Sequence, residues 1–362
     1  MQQNHGILPF PHKQNTPLRR YERNALHLLS LKTPMNLCRF LAMPIYRIEK
    51  IINSPEYKHH IIKKKRGGGR HISEPLGQLK KIQKRLNYFL QAYYLCIKPE
   101  EVHGFVINPL PSGKTHCNIV TNAGVHTGRK HLLNIDLKDF FPAIPARRIK
   151  ELFTSPVFNF SEQMAIAFTL LVTCEAKLPA GAPTSPVLSN FVCLGLDAAL
   201  RLFCREHHLR FTRYADDLTF SSDEFISEGT ILEIKELIRR NGFETNEKKV
   251  RLESSHHKQT VTGITVNEKV NVDRKRLKKI RAMLHDSTKN GIEAAAQRHF
   301  NLTNPPGEGE QLRFIHRLNG YINFVGQVRG KNDPLYRRMD CELQQIKQTM
   351  QELAGNLPQR PE

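Results

Sequence analysis

Two stretches of this chain put carboxylates where an apolar strand is expected, and that combination leaves few folds open. His131-Leu132-Leu133-Asn134-Ile135-Asp136-Leu137 is apolar on both faces and reads as a buried strand, so its acid, Asp136, is anomalous; Asp139 follows closely. Leu209 to Ser221 reads as two short strands folded around Tyr214-Ala215-Asp216-Asp217. A charged carboxylate in an apolar strand is costly unless it is paired or binds metal. Bringing Asp136 within about 4 Å of Asp216 costs roughly 4 kcal/mol at an effective dielectric of about 20. A divalent cation reverses that sign. Oxygen ligands of this kind select Mg²⁺, which keeps waters and takes further ligands from substrate phosphates. Two such ions can clamp the attacking and leaving oxygens of an in-line phosphoryl displacement. A single Asp-Asp pair more often marks a polar turn; the pair between strands, with a strand acid upstream, points to metal-dependent chemistry.

The charge balance points the same way. Lys and Arg total 55 against 34 Asp and Glu, a formal net charge of +21 in a chain whose 39% hydrophobic content can form a core. A folded protein this basic usually has a polyanionic partner, nucleic acid before membrane. At 362 residues, one elaborate domain or two domains are expected. The seven cysteines are scattered and form no C-x-x-C pair, which indicates neither a disulfide framework nor a zinc site. Residues 1–20 lack an apolar signal stretch, and the most apolar run, Met164 to Cys174, is too short to span a bilayer. A soluble cytoplasmic protein is expected, with no membrane partner.

Further elements are legible from spacing and punctuation. Leu26 to Met43 suggests a short helical region behind a loose N-terminal arm. Lys63-Lys64-Lys65-Arg66-Gly67-Gly68-Gly69-Arg70 suits a hairpin turn offering N–H groups and cations to phosphates. Leu79, Ile82, Leu86 and Phe89 follow helical spacing. A helix should begin near Thr184-Ser185-Pro186, a hydroxyl cap followed by proline. Ile231 to Ile238 reads as a helix stopped by Asn241-Gly242, and Arg274 to Leu284 as a basic amphipathic helix with Leu277, Ile280 and Leu284 on one face. The end from Gln351 is polar.

Tyr214-Ala215-Asp216-Asp217 resembles the Tyr-x-Asp-Asp hairpin of reverse transcriptases, and Asn134 to Phe141 resembles their first metal-binding motif. Leu178-Pro179-Ala180-Gly181-Ala182-Pro183-Thr184-Ser185-Pro186 is similar to the glycine turn and helix that lie under template and nucleotide; Gly242 to Lys249 is similar to a later palm motif. Arg70 stands where the family's fingers hairpin holds the incoming triphosphate. Two further segments resemble bacterial retron reverse transcriptases: Asn122-Ala123-Gly124-Val125-His126, like their Asn-Ala-x-x-His, and Val261-Thr262-Gly263, like their Val-Thr-Gly. One departure stands out. Ala180 occupies a position where the family commonly has glutamine, which puts nucleotide affinity and selectivity in doubt.

The resemblance implies an α/β fold: a right-hand polymerase with fingers, an antiparallel-sheet palm and a mostly helical thumb. Residues 1–45 would form the arm and helical extension, 46–267 fingers and palm, 268–350 an RNA-binding thumb, and 351–362 a polar tail. It implies that Asp136, Asp216 and Asp217 bind two Mg²⁺ ions, and that Arg70 forks onto the triphosphate of a deoxynucleotide. Phe141 is the candidate steric gate against a 2′-hydroxyl, with Phe140 able to exchange roles; Gly181 allows close backbone approach to the nucleotide. Lys249 is a candidate proton donor to the leaving pyrophosphate, or a solvated lysine. Asn122 and His126 would be RNA or structural contacts, Val261, Thr262 and Gly263 would recognise RNA, and Lys275, Lys278 and Lys279 would track the phosphates of an RNA–DNA hybrid or form a solvated face. The implied partners are a cognate structured non-coding RNA, its RNA–DNA product and a separately encoded effector. The implied role is anti-phage defence through multicopy single-stranded DNA primed from an RNA 2′-hydroxyl. A group II intron-like or abortive-infection-type enzyme and a non-catalytic RNA-binding scaffold are the alternatives; intact acids argue against the scaffold.

Overall fold

A computed structural model describes residues 10–11, 17–63, 67–107 and 116–355. The chain forms two compact units, the first from residues up to Asn122 with Lys130–Ser254, the second from Ala123–Arg129 and the residues from Ser255 onward. Lys64, Lys65 and Arg66 of the basic run lie outside the described residues.

The first unit opens with helices α1 (Arg20–Leu29), α2 (Pro34–Leu41) and α3 (Ile45–Asn53). The hairpin β1 (Tyr57–Lys63) and β2 (Gly69–Pro75) follows, with Arg70 opposite Ile62 and Gly67 and Gly68 at φ 89° and 80°. Only glycine adopts such angles cheaply. Next come α4 (Gly77–Ile97), α5 (Ile119–Gly124), β3 (His131–Asp136), α6 (Ala146–Thr154), α7 (Glu162–Val172), α8 (Ser185–Val192) and α9 (Leu194–Glu206). The unit ends with β4 (Arg210–Tyr214), β5 (Asp217–Ser222), α10 (Glu228–Arg240) and β6 (Arg251–Ser254).

Its centre is a four-stranded sheet, ordered β4-β5-β3-β6, in which every neighbouring pair is antiparallel. This is the antiparallel palm expected of a right-hand polymerase. Strand β3 is interior, so its apolar residues are covered on both faces: Leu132, Leu133 and Ile135 are buried, as the unbroken apolar run predicts. Leu79, Ile82, Leu86 and Phe89 are likewise buried along α4, which packs on α1, α7 and α8. Helix α8 begins at Ser185 as expected, but Thr184 makes no cap hydrogen bond; the Ser185 hydroxyl instead donates to the Pro179 carbonyl at 2.6 Å. Helix α10 stops at Asn241, with Gly242 left-handed at φ 77°.

The second unit is mostly helical. A small hairpin, β7 (Thr260–Val261) and β8 (Ile264–Thr265), turns through Thr262 and Gly263 at φ 48° and 83°. Two successive left-handed residues make a type I′ turn. A β-branched threonine is rare there, so the turn carries local strain. The Gly128 N–H donates to the Val266 carbonyl at 3.0 Å, tying the segment after His126 to the one after this hairpin. Helix α11 (Arg274–Phe300) bends at Gly291, and α12 (Glu308–Arg329) and α13 (Pro334–Gly355) follow. Leu277, Ile280 and Leu284 of α11 are buried, whereas Lys275, Lys278 and Lys279 are exposed. Among the described residues no single helix is long and apolar enough to cross a membrane; the bent pair α8–α9, which passes together on length and composition, is largely buried in the first unit.

Candidate active site

Strand register assembles the carboxylates. Asp136, the last residue of β3, lies directly opposite Asp217, the first of β5. Opposed residues of an antiparallel pair point to one face with Cβ atoms about 5 Å apart. Tyr214 pairs with Asp217, so Ala215 and Asp216 form a two-residue turn, with Ala215 left-handed at φ 59°. The Leu137 N–H donates to the Asp216 carbonyl at 2.9 Å, and the Asn246 N–H to that of Asp136 at 2.8 Å. The two acidic motifs and the Gly242–Lys249 segment are thus stitched together through backbone.

The electrostatics show an assembly of like charges. Asp216 is raised above the usual carboxylate range, by burial first and by Asp136 beside it. Asp217 is exposed as a residue, yet crowding around its carboxyl and the like charges of Asp216 and Asp136 push it up to about 6. The Lys249 ammonium sits 2.7 Å from Asp136 Oδ1, and Asn246 Nδ2 donates to Oδ2 at 3.3 Å. Among the described residues no three acidic, histidine or cysteine side chains stand ready in metal-binding geometry. The donor set nevertheless fits a hard divalent cation: clustered carboxylates whose mutual repulsion opposes ionisation, with an ammonium now standing where positive charge is wanted. Binding a cation at Asp136 requires Lys249, half exposed, to move aside.

Asp136, Asp216, Asn246 and Lys249 line a cleft of about 240 Å³ with Arg70, Phe105, Phe140, Phe141 and Ala180. Arg70 comes from β2 and its charge acts on Asp216. Phe141 is half-buried and stacks on Phe105 at 5.9 Å, while Phe140 is buried at 5% exposure against Phe243. Both residues belong to the cleft lining, and Phe141 is the more exposed of the two. Gly181, at φ 110°, approaches the fingers hairpin: an added Cβ would meet Ile72 Cγ2 at 2.6 Å. Its close backbone approach is to β2, and it is Ala180 that faces the cleft. Asp217 lies outside the cleft lining, opposite Asp136 in the sheet.

The residues expected to recognise RNA divide by exposure. Asn122 and His126 are 1% and 0% exposed and Val261 is fully buried, so none of these side chains offers a surface to RNA in this conformation. Thr262 and Gly263 at the strained turn are accessible, as are Lys275, Lys278 and Lys279. Both polar atoms of the Asn122 side chain are buried without a hydrogen-bond partner among the described residues.

Sequence reasoning missed Asn246 as a partner of Asp136, and Phe105 beneath Phe141. It also missed the buried pair Arg213–Asp197, whose signal was present: an arginine inside the apolar strand Phe211-Thr212-Arg213-Tyr214 demands a carboxylate partner.

Comparison with known proteins agrees with this geometry. The family described as reverse transcriptase (RNA-dependent DNA polymerase) matches residues 62–266. The retron Mx65 reverse transcriptase of Myxococcus xanthus is 32% identical over 266 residues, covering 67% of this chain and 60% of that protein. The retron Ec86 reverse transcriptase of Escherichia coli is 34% identical over 175 residues, 47% of this chain and 53% of the relative. The retron Ec83 reverse transcriptase of Escherichia coli is 31% identical over 242 residues, 63% of this chain and 74% of the relative. The chain thus spans 60% and 53% of the first two relatives. With a family match over residues 62–266 and the same family among its relatives, the chain belongs to the reverse transcriptases, and among them to those of bacterial retrons.

Proposed function

We propose that this protein is an RNA-directed DNA polymerase that copies a cognate structured non-coding RNA into multicopy single-stranded DNA. The observation that carries the reading is the register of β3 against β5, which sets Asp136 opposite Asp217 beside a cleft also lined by Asp216 and Arg70. Asp136, Asp216 and Asp217 would hold two Mg²⁺ ions. Bound there, the ions would activate the primer hydroxyl and offset charge on the reacting phosphate. Arg70 presents a planar fork to the triphosphate of the incoming deoxynucleotide. Lys249, displaced from Asp136, is within reach of the cleft to give a proton to the leaving pyrophosphate. The backbone beside Gly181 supports the fingers hairpin over the nucleotide. Priming from a 2′-hydroxyl of the RNA, a role in anti-phage defence with a separately encoded effector, and a cytoplasmic location complete the proposal. Extension of a primed RNA template with deoxynucleotides tests the core reading. Mg²⁺-dependent synthesis is expected, and its absence with Mg²⁺ and Mn²⁺ alike would overturn it.

Sugar choice should rest on Phe141. Phe141→Ala opens the volume a 2′-hydroxyl would fill, so the ratio of kcat/KM for deoxynucleotide over ribonucleotide should fall by about tenfold or more. Single-nucleotide insertion kinetics give the ratio. If Phe140→Ala shifts it and Phe141→Ala does not, the other ring is the gate.

General affinity should rest on the exposed cations of α11. Replacing Lys275, Lys278 and Lys279 by glutamine should weaken binding to unrelated RNAs alike. It should reduce the slope of log K against log salt by roughly 2, since each lost phosphate contact removes about 0.7 to 0.9. A slope that stays constant across a salt titration would place the RNA elsewhere.

A further inference from the structure

Against the carboxylate turn, and outside the cleft lining, lies an ion pair that the chemistry above does not use. Arg213 and Asp197 are both 0% exposed, and the guanidinium meets the carboxylate with two hydrogen bonds of 2.7 Å. A buried pair of this kind adds little net stability over apolar packing, which directs attention to what else it holds. The remaining guanidinium nitrogen, Nη1, donates to Asn190 Oδ1 at 2.9 Å and to the Ala215 carbonyl at 3.2 Å. Ala215 is the left-handed residue of the Tyr-Ala-Asp-Asp turn. Asn190 in turn donates through Nδ2 to the Gly104 carbonyl at 3.0 Å and to the Phe105 carbonyl at 3.5 Å. Phe105 is itself left-handed, at φ 58°, and its ring backs Phe141 in the cleft. The loop and the turn also touch directly: a Cβ on Gly104 would fall 2.4 Å from the Ala215 nitrogen. Backbone bonds close the arrangement, with Arg213 N–H donating to the Glu101 carbonyl and His103 N–H to that of Arg213.

We infer that Arg213, Asp197 and Asn190 form a positioning unit that sets two walls of the nucleotide cleft together, the carboxylate turn through Ala215 and the sugar-facing ring through Gly104 and Phe105. Both walls hang on non-glycine residues in the left-handed region, a backbone state that persists only where surroundings impose it. Asn190 is the junction: its oxygen takes the arginine that holds the turn, and its nitrogen holds the loop beneath Phe141. The inference rests on the polymerase reading for its kinetic consequence, but the coupling of the two segments can be measured without activity.

The experiment uses the full chain carrying Asn190→Ala and, separately, Gly104→Ala, which drives loop and turn apart from the opposite side. Hydrogen exchange is followed in peptides spanning 101–107 and 211–219. Both segments should exchange about tenfold faster in Asn190→Ala, with the α4 peptides unchanged. Insertion kinetics should show kcat for deoxynucleotide reduced about tenfold with primer–template affinity within about twofold of wild type. The deoxynucleotide preference should also fall by at least about threefold, although Asn190 lies outside the cleft lining. That change in sugar preference separates positioning from a simple loss of fold, which would lower kcat for both sugars alike. If exchange rises in only one of the two segments, or sugar preference is untouched while kcat falls, the positioning unit does not exist. If Asn190→Ala does not fold, Gly104→Ala carries the same readouts. If wild type extends no primer at all, the polymerase reading fails, and the exchange data still decide whether loop and turn are held together.

Discussion

Asp216→Asn should abolish DNA synthesis while leaving RNA binding nearly intact. The carboxylate lines the cleft beside Asp136, and its raised affinity for protons reflects burial and that neighbour. An amide is close in shape but brings no charge and one fewer anionic ligand, so cation binding and the charge balance of the reacting phosphate both suffer. A loss of about a thousandfold or more in kcat is expected, equivalent to roughly 4 kcal/mol. Affinity for RNA comes instead from the cationic surface of a chain with a net charge of +21, which the substitution changes by a single charge. Primer extension and a filter-binding titration on one preparation separate the two effects. Activity within about tenfold of wild type, only roughly 1.4 kcal/mol of barrier, would sink the metal-ligand assignment.

The largest effect on stability is expected at Asp197. Asp197→Ala leaves Arg213 fully buried with no counter-charge, and breaking a buried pair from one side typically costs about 3–5 kcal/mol. For a unit of this size that corresponds to a fall in Tm of about 10 °C. The cost belongs to the stranded guanidinium, so Arg213→Met combined with Asp197→Leu should recover most of the lost stability. Its polymerase activity should stay low, because neither apolar side chain can hold the Ala215 carbonyl or Asn190. Thermal melts of the three proteins are the measurement. An Asp197→Ala protein that melts within about 2 °C of wild type would mean that Arg213 finds water or another partner, and the pair would not be the buried anchor described.

What was legible in the sequence follows from how locally each feature is determined. Strand β3 and the β4–β5 hairpin were readable because their apolar runs are short, bounded and interrupted by acids that no plain strand would carry. Helix α10 was readable from its spacing and its Asn241-Gly242 stop. Strand β6 was not: Arg251 and Leu252 are exposed, and its place in the sheet comes from pairing with β3 across the fold. The β7–β8 turn was hidden because Thr262 is among the poorest residues for a left-handed position, so nothing local announces a type I′ hairpin. The basic amphipathic pattern of α11 gave out near Leu284, yet the helix runs on to Phe300. Beyond that point Asp286 bonds Arg298 and His299 across the bend at Gly291, a contact no periodicity encodes. The site was legible where charge stood in an apolar context. For Asn122 and His126 the sequence left RNA contact and structural contact both open, because a short polar motif does not encode its own burial; here both side chains are covered.

The central claim is that this chain makes DNA on, and from, a specific RNA, and the nucleic acid it carries tests that directly. The protein is purified from cells that contain its native genomic neighbourhood, and the bound nucleic acid is sequenced before and after ribonuclease and debranching treatment. The account predicts single-stranded DNA joined to a structured RNA through a 2′-hydroxyl, absent when Asp216→Asn replaces the wild type. Recovery of RNA with no covalently attached DNA, from a preparation active in primer extension, would contradict it.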